Sequence, residues 1–213
     1  MIRILLVDDH AVVREGYRRF LERSDDLRVV GEAEDADEGY RLWIQCVPDV
    51  TVVDLSMRGP GGLTLLARIA ARSPGAHCLV FSMHEDARVA QRALEAGARG
   101  YVTKTSQPEV LVQAVRALHA GQLYLSADIA QGRTALAEDA RRLASLTGKE
   151  HEIFRQLAQG RTVADIARLL NLSAKTVANH QSQIREKLGL ATPAALVHVA
   201  LRQGLIESPP PAS

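Results

Sequence analysis

The sequence has few cysteines and no long apolar segment. Its two cysteines, Cys46 and Cys78, lie in predicted core segments without the spacing of a metal-binding or redox pair, so we expect two buried thiols. No apolar run approaches the ~18 residues that a membrane-spanning helix needs, and the first residues lack the features of a signal peptide. We therefore expect a cytoplasmic protein without a membrane partner.

A strong charge of one sign is also absent, because the 213 residues carry 26 basic and 25 acidic side chains. Acidic residues outnumber basic ones by two in residues 1–121, whereas basic residues are in excess by three in residues 122–213. A hydrophobic content of 46% is ordinary for a globular protein, and the length suffices for two domains. The basic excess of the second part is compatible with nucleic-acid binding but is too small to establish it.

Short apolar runs alternate with helical segments over residues 1–121. Strands separated by helices require crossover connections, which produce a parallel sheet with helices on both faces. The pattern therefore predicts an α/β domain, a doubly wound (βα)5 fold with a parallel five-stranded sheet. The predicted strands are 2–7, 28–33, 49–53, 77–82 and 100–103, and the predicted helices are 11–23, 37–46, 63–72, 86–96 and 108–120.

The strand pattern is lost after residue 121. We predict a partly helical linker at 122–145, a small all-α domain of four helices at 146–207 and a disordered tail at 208–213. Glycines follow three of the four helical segments, as is typical of helix ends. The four predicted helices are 149–159, 163–170, 174–187 and 193–203.

Polar residues stand at the carboxyl ends of four predicted strands of the first domain. Because the carboxyl ends of parallel strands open on one edge of the sheet, these side chains should meet in one cleft. Three carboxylates, one hydroxyl and one ammonium group are suited to Mg²⁺ and a phosphoryl group. The residues are Asp8, Asp9, Asp54, Ser82 and Lys104.

Asp54 lies at the centre of this predicted cleft and would be the nucleophile that accepts a phosphoryl group. Mg²⁺ would relieve the repulsion among the carboxylates, with Asp9, Asp54 and the backbone carbonyl of Ser56 as ligands and Asp8 holding a water. Lys104 would balance the charge on the far side of the phosphoryl group, and the Ser82 hydroxyl would bond to that group.

Four segments of this domain, LLVDDH, VVDLSM, LVFSM and GARGYVTK, resemble the receiver domain of two-component response regulators. The resemblance implies that a histidine kinase phosphorylates Asp54 and that Mg²⁺ binds through Asp8, Asp9 and Asp54. It also implies a switch in which Ser82 and Tyr101 reorient together.

The segment after Asp54 departs from the family pattern. Arg58 stands where the family commonly has proline, and Gly61 stands where it has an acidic residue. We expect a looser loop and an altered phosphoryl lifetime or kinase choice, because a fixed φ is lost and glycine flexibility is gained. The predicted metal ligands are unaffected.

The second domain contains two helical segments, 163–170 and 174–187, separated by a tight Asn-Leu-Ser turn, which predicts a helix-turn-helix. Ser173 is a suitable N-cap for the second of these helices. That helix should expose a polar face able to contact phosphates and base edges. The face comprises Lys175, Thr176, Ala178, Asn179, Ser182, Gln183 and Arg185.

The spacing LT-x-x-E…G-x-x-x-x-x-I-A…L-x-x-S-x-K-T-V-x-x-H resembles the LuxR-type DNA-binding domain, and its pairing with a receiver resembles the NarL/FixJ family of transcriptional regulators. The resemblance implies base contacts from Ala178, Asn179 and Ser182. Ala178 replaces a lysine common in the family, but its methyl group can contact thymine, and Asn179 can bond adenine at two positions. His180 is expected to pack or contact the DNA backbone.

The resemblance also implies dimerisation. The last helix, with Ala195, Val199 and Leu201, is one candidate surface, and the face of helices 11–23 and 108–120 is another. Both sets of apolar residues could equally be core, and core is the stronger prediction for Leu111, Val115 and Leu118.

We predict a transcription factor in which phosphorylation of Asp54 releases the helix-turn-helix and promotes dimerisation and promoter binding. No enzymatic activity is expected beyond phosphorylation and dephosphorylation of Asp54 itself. The alternative is a phosphorylation-responsive interaction protein that acts mainly through a partner regulator, because Ala178 weakens its own DNA binding. A phosphatase is disfavoured, since Ser56 stands where such enzymes carry a catalytic acid.

Overall fold

A computed structural model describes residues 1–206 of the chain, apart from the side chain of Pro193. The chain divides into two compact units between Arg133 and Thr134. The predicted disordered tail, 208–213, lies outside the described residues. No helix within the described part is both long and apolar enough to span a membrane.

The first unit is a parallel sheet of strand order β2-β1-β3-β4-β5-β6 with helices between its strands. All strand pairs are parallel, so the predicted doubly wound α/β fold is confirmed. Its elements are β1 (Ile2–Val7), α1 (Ala11–Leu21), β2 (Leu27–Ala33), α2 (Ala36–Cys46), β3 (Val50–Val53), α3 (Gly61–Arg72), β4 (Cys78–Ser82), α4 (Ala87–Glu95), β5 (Gly100–Thr103), α5 (Pro108–His119) and β6 (Tyr124–Leu125). The next helix, α6 (Ala127–Leu143), begins in this unit and continues past its limit at Arg133.

The predicted count of five strands is wrong, because β6 adds a sixth. Tyr124 pairs with Gly100, and Leu125 pairs with Tyr101. A strand of two residues is too short to show the alternation of apolar and polar residues by which strands are recognised. Both β6 and α6 lie in the segment predicted as a linker. The predicted domain limits at residues 121 and 145 stay predictions.

Every residue of β3, β4 and β5 is buried, and apolar clusters fill both faces of the sheet. Leu111, Val115 and Leu118 on α5 are fully buried, which confirms their prediction as core. Cys78 is buried in β4, and this burial raises the pKa of its thiol to about 12. Cys46 is only half-buried, so the expectation of a buried thiol is correct for Cys78 alone.

The second unit contains four capped helices: α7 (Gly148–Ala158), α8 (Val163–Leu169), α9 (Ala174–Leu188) and α10 (Pro193–Arg202). Ser173 caps α9 as predicted, since its Oγ accepts a hydrogen bond from the Thr176 N–H at 3.0 Å. Gly189 ends α9 with a φ of 66°, a left-handed conformation that favours glycine. Val199, a candidate dimer residue on α10, belongs to the core of this unit.

Candidate functional site

The carboxyl ends of β1, β3 and β5 bring Asp8, Asp54 and Lys104 together. Lys104 Nζ lies 2.7 Å from Asp8 Oδ2 and 2.7 Å from Asp54 Oδ2. The Asp54 side chain is only 2% exposed, and the Lys104 side chain is 7% exposed. The cleft therefore contains a hydrogen-bonded ionic group that is almost fully removed from water.

Carboxylates outnumber ammonium groups in this cleft. Burial alone would lower the pKa of Lys104, but its hydrogen bonds to Asp54 and Asp8 outweigh that effect and raise it. Asp9 Oδ1 is buried and accepts no hydrogen bond, although His10 Nδ1 lies 2.8 Å away. Ligand atoms of Asp8, Asp9, His10 and Asp54 lie within 4.8 Å of one another. This acidic pocket offers the oxygen donors that Mg²⁺ prefers.

The loop after β3 orients the Asp54 carboxylate. Asp54 Oδ1 accepts a hydrogen bond of 3.1 Å from the Ser56 N–H. Gly62 packs against the backbone of Asp54, and a Cβ placed on Gly62 would lie 2.2 Å from the Asp54 carbonyl oxygen. Gly62 therefore has a steric role in this loop, while the predicted loosening by Arg58 and Gly61 stays a prediction.

Ser82 and Tyr101 are both buried and are connected through His84. Ser82 Oγ accepts a hydrogen bond of 3.4 Å from the His84 N–H. The Tyr101 hydroxyl donates to the His84 carbonyl oxygen at 2.8 Å, and burial raises the pKa of Tyr101 to about 12. The predicted switch pair therefore shares one backbone segment.

Sequence reasoning missed three neighbours of the cleft. His84 acts through its backbone, so its residue type carried no signal. His10 follows the two acidic residues directly, and Arg14 donates to the Asp8 carbonyl oxygen from α1 while pairing with Glu32. The position of Arg14 six residues after Asp8, on the next helix, was the only available signal.

The exposed side of α9 presents a narrow polar strip, which we call the α9 strip. Among the described residues, no hydrogen-bond partner is found for the side chains of Lys175, Asn179 and Gln183, whereas Ser182 Oγ donates to the Ala178 carbonyl oxygen at 3.2 Å. These groups are available to an external ligand. The α9 strip comprises Lys175, Ala178, Asn179, Ser182 and Gln183.

Two residues of the predicted DNA-contacting face lie outside this strip. Thr176 Oγ1 lies 2.8 Å from the capping Ser173 Oγ. The Arg185 guanidinium donates to the Ala191 carbonyl oxygen at 2.9 Å, and Arg185 Nε is buried without a partner. His180 is half-buried, in agreement with a packing role.

Two family models match the chain, one for each unit. Residues 4–116 match the response regulator receiver domain, and residues 144–200 match the bacterial regulatory proteins of the luxR family. The chain belongs to the response regulators that combine a receiver domain with a LuxR-type DNA-binding domain. It is thus a DNA-binding transcription regulator of the two-component class.

Individual relatives agree with this assignment. The response regulator UvrY of Escherichia coli is 34% identical over 209 residues, with 96% of each chain covered. A LuxR-family response regulator from Aurantimonas is 49% identical, with a TM-score of 0.62 and coverage of 63% of this chain and 96% of its own. A structure of two RcsB dimers bound to two parallel DNAs is 28% identical, with a TM-score of 0.59 and coverage of 94% and 98%.

Proposed function

We propose that Asp54 accepts a phosphoryl group from a histidine kinase and that this phosphorylation promotes binding of a dimer to promoter DNA. The observation that carries the proposal is the buried Asp54 carboxylate, held by Lys104 among surplus carboxylates. An Asp54 oxygen would attack phosphorus as the P–N bond to the kinase imidazole breaks, and the released imidazole nitrogen would take up a proton. Phosphorylation and its hydrolytic reversal are the only covalent chemistry in this proposal.

The acidic pocket fits Mg²⁺. Asp8, Asp9, Asp54 and the backbone carbonyl of Ser56 would hold the ion, and the convergence of ligand atoms from the three carboxylates within 4.8 Å is the strongest support for this site. When bound, Mg²⁺ would neutralise negative charge on the phosphoryl oxygens. Lys104 would bind the phosphoryl oxygens from the side opposite the ion, and the Ser82 hydroxyl would donate to one of them.

The α9 strip would enter the major groove of DNA. The Asn179 amide would make two hydrogen bonds to adenine, and the Ala178 methyl would contact a thymine methyl. Because the Ser182 hydroxyl proton is directed to the Ala178 carbonyl, Ser182 would present acceptor lone pairs to the bases. Lys175 and Gln183 would contact phosphates or base edges. Thr176 and Arg185 would support the helix and its following loop.

Dimerisation would place two such helices on a roughly two-fold DNA site. The RcsB structure, in which dimers bind DNA, supports this arrangement for a relative of this chain. The proposed activity requires access to chromosomal DNA, so the protein would act in the cytoplasm.

DNA binding with and without a phosphoryl mimic tests the proposal. Beryllium fluoride with Mg²⁺ should increase the affinity of the wild-type chain for a selected DNA site, and Asp54→Asn should abolish the increase. Asp25→Asn, at an exposed position in the α1–β2 loop, should respond as the wild type does. A mimic-dependent increase that persists in Asp54→Asn would refute phosphorylation at this residue as the control.

A second candidate function is suggested by the exposed Ala178, which supplies no charge to DNA. In that case, a partner regulator would provide most of the DNA affinity. Selection from random DNA with the purified, mimic-treated chain alone separates the two functions. Enrichment of a defined inverted repeat supports direct binding, and absence of enrichment supports the partner-dependent alternative.

A further inference from the structure

The second half of α6 packs within the second unit. Residues 134–143, which we call the α6 anchor, follow the limit of the first unit at Arg133 and end before residue 144, where the match to the luxR family begins. Leu143 is buried in the apolar core of the second unit together with Leu188 of α9. The α6 anchor therefore packs as part of the second unit, outside the segment that family membership accounts for.

Two polar contacts fix the α6 anchor to the end of α10. Asp139 is buried, and its Oδ2 accepts a hydrogen bond of 2.7 Å from Arg202 Nε. Gln203 Nε2 donates to the Leu136 carbonyl oxygen at 2.7 Å. Because residues 136 and 139 are neighbours on one side of the helix, the two contacts together hold about a turn of the α6 anchor in place.

The α6 anchor also contacts the carboxyl end of α9. Arg142 Nη1 donates to the Leu188 carbonyl oxygen at 2.9 Å. The last carbonyl groups of a helix have no partner within that helix, and the helix dipole favours a cation beside them. Glu138 orients the guanidinium, since its Oε1 accepts a hydrogen bond of 3.1 Å from Arg142 Nε. Arg142 is thus a C-terminal cap of α9 that another helix supplies.

The glycine that ends α9 leaves room for this cap. A Cβ placed on Gly189 would lie 3.0 Å from Arg142 Nη1, so a larger residue would press on the guanidinium. The Gly189 N–H closes the same turn by donating to the Glu186 carbonyl oxygen at 3.0 Å. The last turn of α9 is therefore held by its own backbone and by Arg142 of the α6 anchor.

A change at this end of α9 would displace the α9 strip. Leu188 follows Gln183 by five residues, which is about 7.5 Å along the helix axis. Groups that recognise a ligand must be held within about 0.5 Å, so a small tilt or fraying of the helix would misplace them. Attraction of cations to DNA phosphates is independent of sequence and does not need this precision. Loss of the cap should therefore impair sequence discrimination more than general DNA affinity.

We propose that Arg142 is a positioning residue for DNA recognition, which fixes the carboxyl end of α9 and thereby the direction of the α9 strip. The inference rests on the proposed entry of the α9 strip into the major groove, but not on phosphorylation of Asp54. It adds to the proposed base contacts a residue that acts on the recognition helix and needs no DNA contact of its own.

DNA binding of the full-length chain tests the proposal. The two probes are a duplex selected from random DNA by the wild-type chain and a random-sequence duplex of the same length. Arg142→Met should bind the selected duplex about tenfold more weakly, but the random duplex at most about twofold more weakly. Arg141→Met removes the same charge from the exposed neighbouring residue and should lower both affinities by the same small factor. Arg142→Lys keeps a donor for the Leu188 carbonyl and should recover most of the discrimination.

Hydrogen exchange of the same variants distinguishes a local change from a loss of folding. In Arg142→Met, amides 185–190 should exchange about five- to tenfold faster, while those of α7 keep the wild-type rates. Faster exchange throughout the second unit, or unchanged exchange at 185–190, would overturn the proposal. If the wild type discriminates between the duplexes and Arg142→Met does so equally well, only this inference fails. If the wild type binds both duplexes equally, the proposed base contacts fail and this inference fails with them.

Discussion

Both units of the protein contain a buried carboxylate paired with a lysine, but the surroundings differ. In the first unit, Lys104 contacts Asp8 and Asp54, and Asp9 adds a carboxylate oxygen without a hydrogen bond. In the second unit, Glu150 accepts hydrogen bonds of 2.8 and 2.7 Å from Lys187.

The Glu150 pair is electrically balanced and also closes the start of α7. The Thr147 N–H donates to Glu150 Oε2 at 2.7 Å, while the Glu150 N–H donates to Thr147 Oγ1. The hydrogen bond from Lys187 is the main cause that lowers the pKa of Glu150 to about 2. A balanced and fully bonded pair stabilises a fold, whereas surplus buried carboxylates indicate a site that a cation completes.

Lys104→Met should have the largest effect on the free energy of unfolding. Loss of the ammonium group leaves Asp8 and Asp54 buried without their cation, so the first unit should lose about 3–5 kcal/mol of unfolding free energy without Mg²⁺. Saturating Mg²⁺ should restore part of the loss. Trp43, the single tryptophan of the chain, lies on α2 and reports the unfolding of this unit in urea.

Lys149→Met is the matched control, since Lys149 is exposed at the start of α7. It should leave the Trp43 transition unchanged. Equal transitions for Lys104→Met and the wild type would contradict the ionic role of Lys104.

Glu150→Gln should have the next largest effect, a loss of about 2–3 kcal/mol from the second unit at pH 7. Because the folded pKa of about 2 lies below the ordinary value of 4.5, this stabilisation is fully present above pH 4.5 and is lost as the pH falls toward 2. Far-UV circular dichroism during urea unfolding measures it. Glu186→Gln, at an exposed position, should retain the wild-type pH dependence, and identical curves for the two variants would rule the account out.

Gly62→Ala tests whether the close approach of residue 62 to the Asp54 backbone requires a glycine. The added methyl must displace the Asp54 backbone, so we expect a loss of about 1–3 kcal/mol and weaker beryllium fluoride binding. Gly148→Ala, where a Cβ meets no atom within 4 Å, provides the comparison in the second unit. Calorimetric titration should show weaker binding only for the Gly62 variant, and normal binding in that variant would refute the steric role.

The smallest change in stability is expected for Asp9→Asn, and this variant compares Asp9 with Glu150 most directly. Asp9→Asn removes one surplus charge, so in a chelator the first unit should become slightly more stable, by about 0.5–1 kcal/mol. Its Mg²⁺ affinity should fall, as calorimetric titration can show. A clear loss of stability in the chelator would mean that Asp9 serves the fold, as Glu150 does.

The sequence predicts the structure best where the periodic pattern of strands and helices also fixes the position of polar side chains. Alternating strands and helices predict the sheet, and the residues that directly follow β1, β3 and β5 then necessarily share an edge. The exposed residues of α9 followed in the same way from helical spacing. The strand β6 was not predictable because two residues make no pattern.

Contacts that depend on how closely two backbone segments approach each other could not be predicted from the sequence. A glycine is needed at position 62 because this residue lies so close to the Asp54 carbonyl. His84 contacts Tyr101 through its main-chain carbonyl and not through its side chain. Arg185 is predicted to contact DNA because it lies on the polar face of α9, and this stays a prediction. Its bond to Ala191, beyond the end of α9, requires knowledge of the folded loop.

The central claim is that the surplus carboxylates of the first unit form a Mg²⁺-dependent phosphorylation site at Asp54. Intact-mass measurement after incubation with acetyl phosphate tests it most directly. We expect one added phosphoryl group on the wild-type chain in Mg²⁺, and none with a chelator or in Asp54→Asn. Equal phosphorylation of Asp54→Asn, or phosphorylation of the wild type that is unaffected by the chelator, would contradict the claim.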